Sequence, residues 1–169
     1  PDRNVEEADV HALFEAARWT MSSYNAQPWR YIVAARNRDP ETWEKLYSVL
    51  LEGNQAWAIN APVLALGVVQ HLFEYNGKEN KAAAHDLGAA SALLTLEATA
   101  RGLVVHQMIG IDSASARAVF GIEKPLEPLT ALAIGYAGAS YHVSEAYSAR
   151  DEKPRERMSL EEIVIRGSF

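Results

Sequence analysis

The chain has 169 residues, 49% hydrophobic and 22% charged, a formal net charge of −6 and no cysteine. That size fits one domain, 1–169, with a substantial core, and no apolar run is long enough to span a bilayer. Lack of cysteine excludes disulfides, thiolate nucleophiles and sulfur-ligated metals, and net acidity argues against nucleic acid, so any redox chemistry here needs an organic cofactor.

The first element is a helix over Asn4–Arg18: Val10, Leu13, Phe14 and Ala17 fall at helical spacing, and Asn4 with Glu7 offers a capping pair. The opening Pro1-Asp2-Arg3-Asn4 is polar and carries no signal-peptide pattern, so the expected location is cytoplasmic. Trp29–Ala35 reads as a strand. Asp39 as N-cap and Pro40 at the first turn begin a second helix. Its stripe is Trp43, Leu46, Tyr47, Leu50 and Leu51, and Gly53 is expected to close it. Val63–Val69 is a continuous apolar strand suited to burial on both faces. Gln70–Ala83 is polar and expected as loop or frayed helix start. The longest helix follows, Ala84–Arg101, ended by Gly102, and its Gly88-Ala89-Ala90 patch permits close approach of another backbone, inside the domain or across a dimer. Leu103–Val105 starts a third strand, which read plainly ends in a helix cap at Asp112; Ala114–Phe120 is a short helix ended by Gly121, and Leu129–Ala137 is the fourth strand. Residues Ser140–Met158 look irregular, before a capping box at Ser159-Leu160-Glu161-Glu162. Four strands separated by helices predict an α+β domain, a layered α/β/α arrangement whose central sheet is covered by helices.

Between the first helix and the first strand lies Arg18-Trp19-Thr20-Met21-Ser22-Ser23-Tyr24-Asn25-Ala26-Gln27-Pro28-Trp29-Arg30. Turn and capping roles account for any two of its polar residues but not for the block. Its hydroxyls and amides donate and accept, which suits a flat heterocycle edged with carbonyls and ring nitrogens. The segment resembles the signature loop of the nitroreductase family of flavin enzymes, in which Ser-Ser-x-Asn-x-Gln-Pro-Trp contacts FMN. The resemblance implies a central mixed, mainly antiparallel sheet and FMN contacts from Ser22, Ser23, Asn25 and Gln27.

Gly102-Leu103-Val104-Val105-His106-Gln107-Met108-Ile109-Gly110-Ile111-Asp112 is similar to the family segment that passes the middle of the isoalloxazine. There the resemblance implies that Gln107, Met108, Ile109 and Gly110 line the cofactor, with the backbone N–H groups of Ile109 and Gly110 reaching flavin N5. Asn54 matches an Asn that touches the flavin's polar edge in relatives. Some relatives carry a lysine where this chain has Trp57, and many carry Pro where it has Met21. Arg155 and Arg157 stand where the family places basic residues on the FMN phosphate, and two guanidiniums one residue apart suit a doubly charged anion. The usual Arg-x-Ser-x-Arg-like opening that clamps the phosphate from the other side is expected to be missing before Asn4, most simply because the start is trimmed.

The resemblance further implies NAD(P)H as a transient reductant, a small-molecule acceptor such as a nitroaromatic or quinone, and an intertwined homodimer with flavin sites at the interface. The hydride step asks no side chain to act as acid or base, so no catalytic residue is assigned. The histidines, His71, His85, His106 and His142 among them, lack metal-ligand spacing. His106 is expected to be a satisfied buried histidine and His85-Asp86 a helix-start arrangement. No G-x-S-x-G elbow, Walker A loop or G-x-G-x-x-G fingerprint is present. Two other functions stay open: a non-catalytic flavin-binding protein, and a specialised branch such as flavin reductase or dehalogenase, for which the short Gln70–Ala83 segment leaves little room for a lid.

Overall fold

The apolar run at the middle of the sequence becomes the middle of the sheet. The computed structural model describes residues 3–138 and 145–166, with the side chains of Glu145, Ala146 and Asp151 left aside. The chain divides into two units, Pro1–Ala139 and Ser140–Phe169.

In the first unit, β2 (Val63–Gln70) has seven consecutive buried residues. It pairs with β1 (Trp29–Ala35) on one side and β4 (Leu126–Gly135) on the other, with β3 (Val104–Met108) beyond β4, giving the order β1-β2-β4-β3. Every pairing is antiparallel. The unbroken apolar run therefore reflects cover on both faces rather than parallel pairing. Val63, Ala65 and Val69 face α1 (Glu7–Arg18) and α4 (Ala83–Ala100), meeting Leu13, Ala17, Leu87, Ala90, Leu94 and Ala98. Leu64, Leu66 and Val68 face α2 (Pro40–Ser48), α3 (Glu52–Ala58) and α5 (Ser113–Phe120), meeting Trp43, Leu46, Ala58 and Ala116. The result is the expected α+β architecture, three layers deep with the sheet in the middle. Opposite the Gly67–Val68 step the register jumps from Thr130 to Pro128, so Leu129 is the extra residue of a bulge. Pro128, with no N–H to give a ladder, is accommodated there.

Local signals set several helix ends as expected. Asp39 accepts from Thr42 N at 3.1 Å, and this backbone bond holds its carboxyl below the usual value. Asp112 caps α5 by accepting from Ala114 N and Ser115 N, and Gly121 closes that helix at φ 64°. Others differ. The N-cap of α1 is Glu6, with no side-chain capping bond, so the Asn4–Glu7 pair does not form. Gly53 does not end α2: that helix stops at Ser48, Leu51 caps α3, and Gly53 and Asn54 lie in the first turn of α3. The cause is tertiary, because Leu50 bridges to Ile111 and Leu51 N donates to Gly110 O. Strand β3 runs on to Met108, which pairs with Ala131, and β4 is shifted from the expected Leu129–Ala137: it starts at Leu126, paired with Gln70, and ends at Gly135, paired with Val104.

The second unit carries α6 (Glu145–Asp151) and α7 (Leu160–Ile163). The Ser159–Glu162 capping box forms as expected. Helix α6 corrects the irregular reading of this stretch. Tyr147 with Arg150 and Ser148 with Glu152 make helical-spacing pairs that composition conceals. His142 and residues 140–144 lie outside the described residues.

Strand β1 is tied to α4 by Tyr31 OH and Ser91 Oγ, 2.9 Å apart, and burial pushes the Tyr31 phenol up to about 12. A phenol whose folded value is raised stabilises the fold fully below its unfolded value near 10, and that contribution fades as pH climbs from about 10 to 12. Tyr31→Phe is therefore expected to flatten the alkaline limb of a urea-midpoint-against-pH profile in that window; an unchanged limb would contradict the burial argument.

Candidate functional site

The polar loop between α1 and β1 is held in a left-handed conformation that Asn25 accepts but Tyr24 and Gln27 do not favour. Tyr24, Asn25 and Gln27 have φ of 52°, 53° and 47°, and none is glycine. Left-handed backbone at non-glycine residues costs roughly 1–3 kcal/mol each and persists only where surroundings over-determine it. Here Ser23–Asn25 form one 3-10 turn. Ser22 Oγ accepts from Gln27 N at 3.0 Å and Gln27 Nε2 donates to Asn25 O at 3.2 Å. Arg30 Nη1 donates to Gln27 O at 2.8 Å, and Ser23 N donates to Asp86 Oδ2 at 3.0 Å. The side chain of Tyr24 stands out at 83% exposure, edge-on to Phe73. A cavity of about 350 Å³ opens beside the loop, lined by Tyr24, Asn25, Gln27, Arg30, Glu74 and Tyr75.

The second cluster lies where β3 leaves the sheet. Ile109 and Gly110 follow the last ladder pair, Met108 with Ala131. Their carbonyls are engaged: Gly110 O accepts from Leu51 N at 3.0 Å and from Asn54 Nδ2 at 2.9 Å, and Ile109 O accepts from Ile111 N at 2.9 Å. The Ile109 side chain is 82% exposed. Their N–H groups lie past the ladder, on a segment whose carbonyls are already fixed. A Cβ at Gly110 would come within 2.4 Å of Asn54 Nδ2, so the close approach of the two requires glycine.

The structure thus brings Asn54 to Gly110, and Ser22, Asn25 and Gln27 to one another. Gln107 is turned elsewhere: its Nε2 donates to Ser91 O and Thr95 Oγ1 of α4 at 3.0 and 2.8 Å. Met108 is buried in the core facing α2 and α5. Arg155 and Arg157 are exposed in the second unit, where Arg157 Nη1 donates to Glu156 O at 2.6 Å.

The two clusters of the first unit share one end of the sheet, because β1 begins and β3 ends there. They stand on opposite edges, three inter-strand steps or roughly 14 Å apart. Helix α4 reaches the first through the bond from Ser23 to Asp86, and it holds strand β3 through Gln107, which donates to Ser91 and Thr95.

Asp86 is the residue that sequence reasoning undervalued. It does lie in the first turn of α4, with Oδ1 3.2 Å from His85 Nδ1, but its side chain is only 5% exposed and it holds the polar loop. The available signal was spacing: Ala83, Asp86, Ala90 and Leu94 mark the buried stripe of the helix. His106 is corrected as well. It is exposed, and its ring packs on Trp57 with centroids 4.5 Å apart. Among the described residues no group of three or more His, Asp or Glu is placed to hold a metal ion. No helix among them is long and apolar enough to cross a membrane.

The model of the Nitroreductase family matches residues 1–136. An uncharacterized 15.4 kDa protein of Mycolicibacterium smegmatis is 35% identical over 132 residues, 76% of this chain and 85% of that protein. The chain belongs to the nitroreductase family. A solved oxidoreductase containing FMN superposes on this family member with a TM-score of 0.90 and 27% identity, over 99% of this chain and 84% of that one. A nitroreductase family protein from Clostridium difficile shares the fold with a TM-score of 0.74 at 24% identity, over 100% of this chain and 91% of its own.

In this nitroreductase-family chain the contact of Asn54 with Gly110 makes a specific stability prediction. The Asn54 amide is the end of a flexible side chain, so Gly110→Ala is expected to displace it and cost about 0.5–1.5 kcal/mol in urea unfolding, the worth of the lost hydrogen bond. Asn54→Ala, which leaves Gly110 O bonded to Leu51 N, should cost about the same. The double variant should then cost little more than either single one; strict additivity would show that the added methyl is felt elsewhere.

Proposed function

We propose that this chain is an FMN-dependent oxidoreductase that uses NAD(P)H as reductant and serves flat, electron-poor acceptors. The chemistry FMN supplies when bound is hydride transfer at N5, from NAD(P)H to a nitroaromatic, quinone or similar molecule. The observation that carries the reading is the exit of β3. Two main-chain N–H groups, at Ile109 and Gly110, lie outside the ladder, and their carbonyls are fixed by Ile111, Leu51 and Asn54. Fixed backbone donors polarise a ring nitrogen without becoming competing acids, and they need no reorganisation during the reaction.

The residues fit the cofactor as a donor set. Ser22, Ser23, Asn25 and Gln27 would hold its polar periphery from a loop already locked by its own hydrogen bonds. Asn54, with one amide hydrogen given to Gly110 O, keeps its carbonyl oxygen and second hydrogen for the ring edge. Gln107 and Met108 would contribute main chain, since their side chains are taken up by α4 and by the core. Arg155 and Arg157 would meet the phosphate.

Two clusters roughly 14 Å apart in one chain favour a homodimer in which a second copy closes each site. The outward-facing Gly88 supports this: among the described residues nothing lies within 4 Å of a Cβ built there, and while Ala90 packs inside the domain, Gly88 leaves room for a partner. Exposed Trp19, Met21 and Leu96 on the loop and helix add apolar surface for such a contact.

Titrating the purified protein with FMN in the visible bands is expected to give saturable binding with sharpened fine structure, followed by steady NAD(P)H oxidation when a quinone is added. No spectral change at any FMN concentration would refute the proposal, and binding without turnover would leave a non-catalytic flavin protein. The strained loop makes a second prediction. Gln27→Gly relieves a left-handed non-glycine residue, so stability should rise by up to about 1 kcal/mol while FMN affinity falls. Stability and affinity falling together would contradict that trade-off.

A further inference from the structure

Resting on the FMN-binding role proposed for the Ser22–Gln27 loop, we infer that Asp86 is a positioning residue. Its buried carboxylate caps the loop's 3-10 turn from another element and so sets the geometry in which the loop meets its ligand.

The turn at Ser23–Asn25 lacks a local cap. Ser22 occupies the N-cap position with extended backbone, φ −148° and ψ 157°, but makes no side-chain capping bond. Its Oγ is committed to closing the loop by accepting from Gln27 N. The first N–H of the turn, at Ser23, is therefore taken by Asp86 Oδ2, 63 residues away in sequence. A carboxylate accepting from a turn's leading N–H forms a charge-assisted bond, stronger than the neutral one a serine cap gives.

The location of this carboxylate argues that it is retained for the loop. Asp86 sits on the buried stripe of α4 beside Leu87 and Ala90, and no Lys or Arg pairs with it among the described residues. Its ionisable neighbour is His85, which is itself 84% exposed. Burying a carboxylate that has only an exposed histidine beside it costs stability that an alanine or leucine at this position would not incur. What Asp86 gains in return is the Ser23 contact. The left-handed residues follow at once, at 24, 25 and 27, so the capped turn is where the chain is forced into that conformation. A cavity of about 420 Å³ is walled by Thr20, Met21, Ser22, Ser23, His85 and Asp86, which puts the carboxylate beneath the two serines rather than in a remote part of the core. Thr20 Oγ1, on the same wall, is buried without a hydrogen-bond partner among the described residues.

The test uses the whole chain, with FMN affinity read by flavin absorbance and loop order read by amide hydrogen exchange on the FMN-free protein. Asp86→Ala should weaken FMN binding about 10-fold or more, the range for losing a hydrogen bond to a charged group. Exchange across Ser23–Gln27 should accelerate while Ser91–Thr95 of α4 stays as protected as in the wild type. Asp86→Asn keeps an acceptor oxygen and should restore affinity to within about threefold, since only the charge assistance is lost. Should Asp86→Ala fail to fold, Ser23→Pro against Ser23→Ala isolates the same bond. Proline is tolerated at the first position of a helical turn and after an extended residue, so it deletes the N–H alone, and the Pro variant should bind FMN about 10-fold more weakly than the Ala variant. Unchanged FMN affinity in Asp86→Ala, or equal affinity of the two Ser23 variants, would overturn the inference while leaving the FMN reading intact. A wild-type chain that does not bind FMN would overturn both.

Discussion

Cover of one strand on both faces is the constraint from which the site geometry follows. Strand β2 has no polar face to give to water, so helices must pack on each side of the sheet, and α1 with α4 take one face while α2, α3 and α5 take the other. Chain direction does the rest. With β2 and β4 in the centre, β1 and β3 are edges, and the antiparallel order points the start of β1 and the end of β3 toward the same end of the sheet, with β3 stopping level with Ile32. Both polar segments emerge there because the hydrophobic arrangement leaves them no other place.

Helix α4 converts that coincidence into a frame. Its buried stripe packs on the sheet through Leu87, Ala90 and Leu94, and three of its polar side chains reach other elements. Asp86 holds the loop, Ser91 meets Tyr31 of β1 and Gln107 of β3, and Thr95 takes the other hydrogen of Gln107. Buried polar groups are tolerated only when satisfied, and here the satisfying partners are the two edges of the sheet. The loop's strain is thereby held by rigid secondary structure, the arrangement that lets a binding loop keep one conformation.

How much of this was readable in advance depended on whether the deciding contact was local. Asp39 with Pro40, Asp112, Gly121 and the Ser159–Glu162 box all lie within a turn of the backbone they cap, so residue type and spacing were enough. Strand Trp29–Ala35 was legible to the residue for a similar reason: β-formers bounded by Pro28 and a turn. The break between α2 and α3 was not legible, because Leu50 and Leu51 are claimed by Ile111 and Gly110, some 60 residues later. The pairing of Asn54 with Gly110 has the same origin.

Sequence by itself determined the layered α+β plan, the position of the polar loop, the resemblance of that loop to the nitroreductase signature, and the lack of thiol chemistry. Those properties belong to composition, period and contiguous motif. Tertiary structure alone decided which groups meet: that Asp86 caps a turn 63 residues before it, that Gln107 serves α4 rather than the β3 exit, and that Ile109 and Gly110 end with fixed carbonyls. Each of these turns on the direction a side chain or carbonyl points across two packed elements, and that direction exists only once the sheet order has brought the elements together.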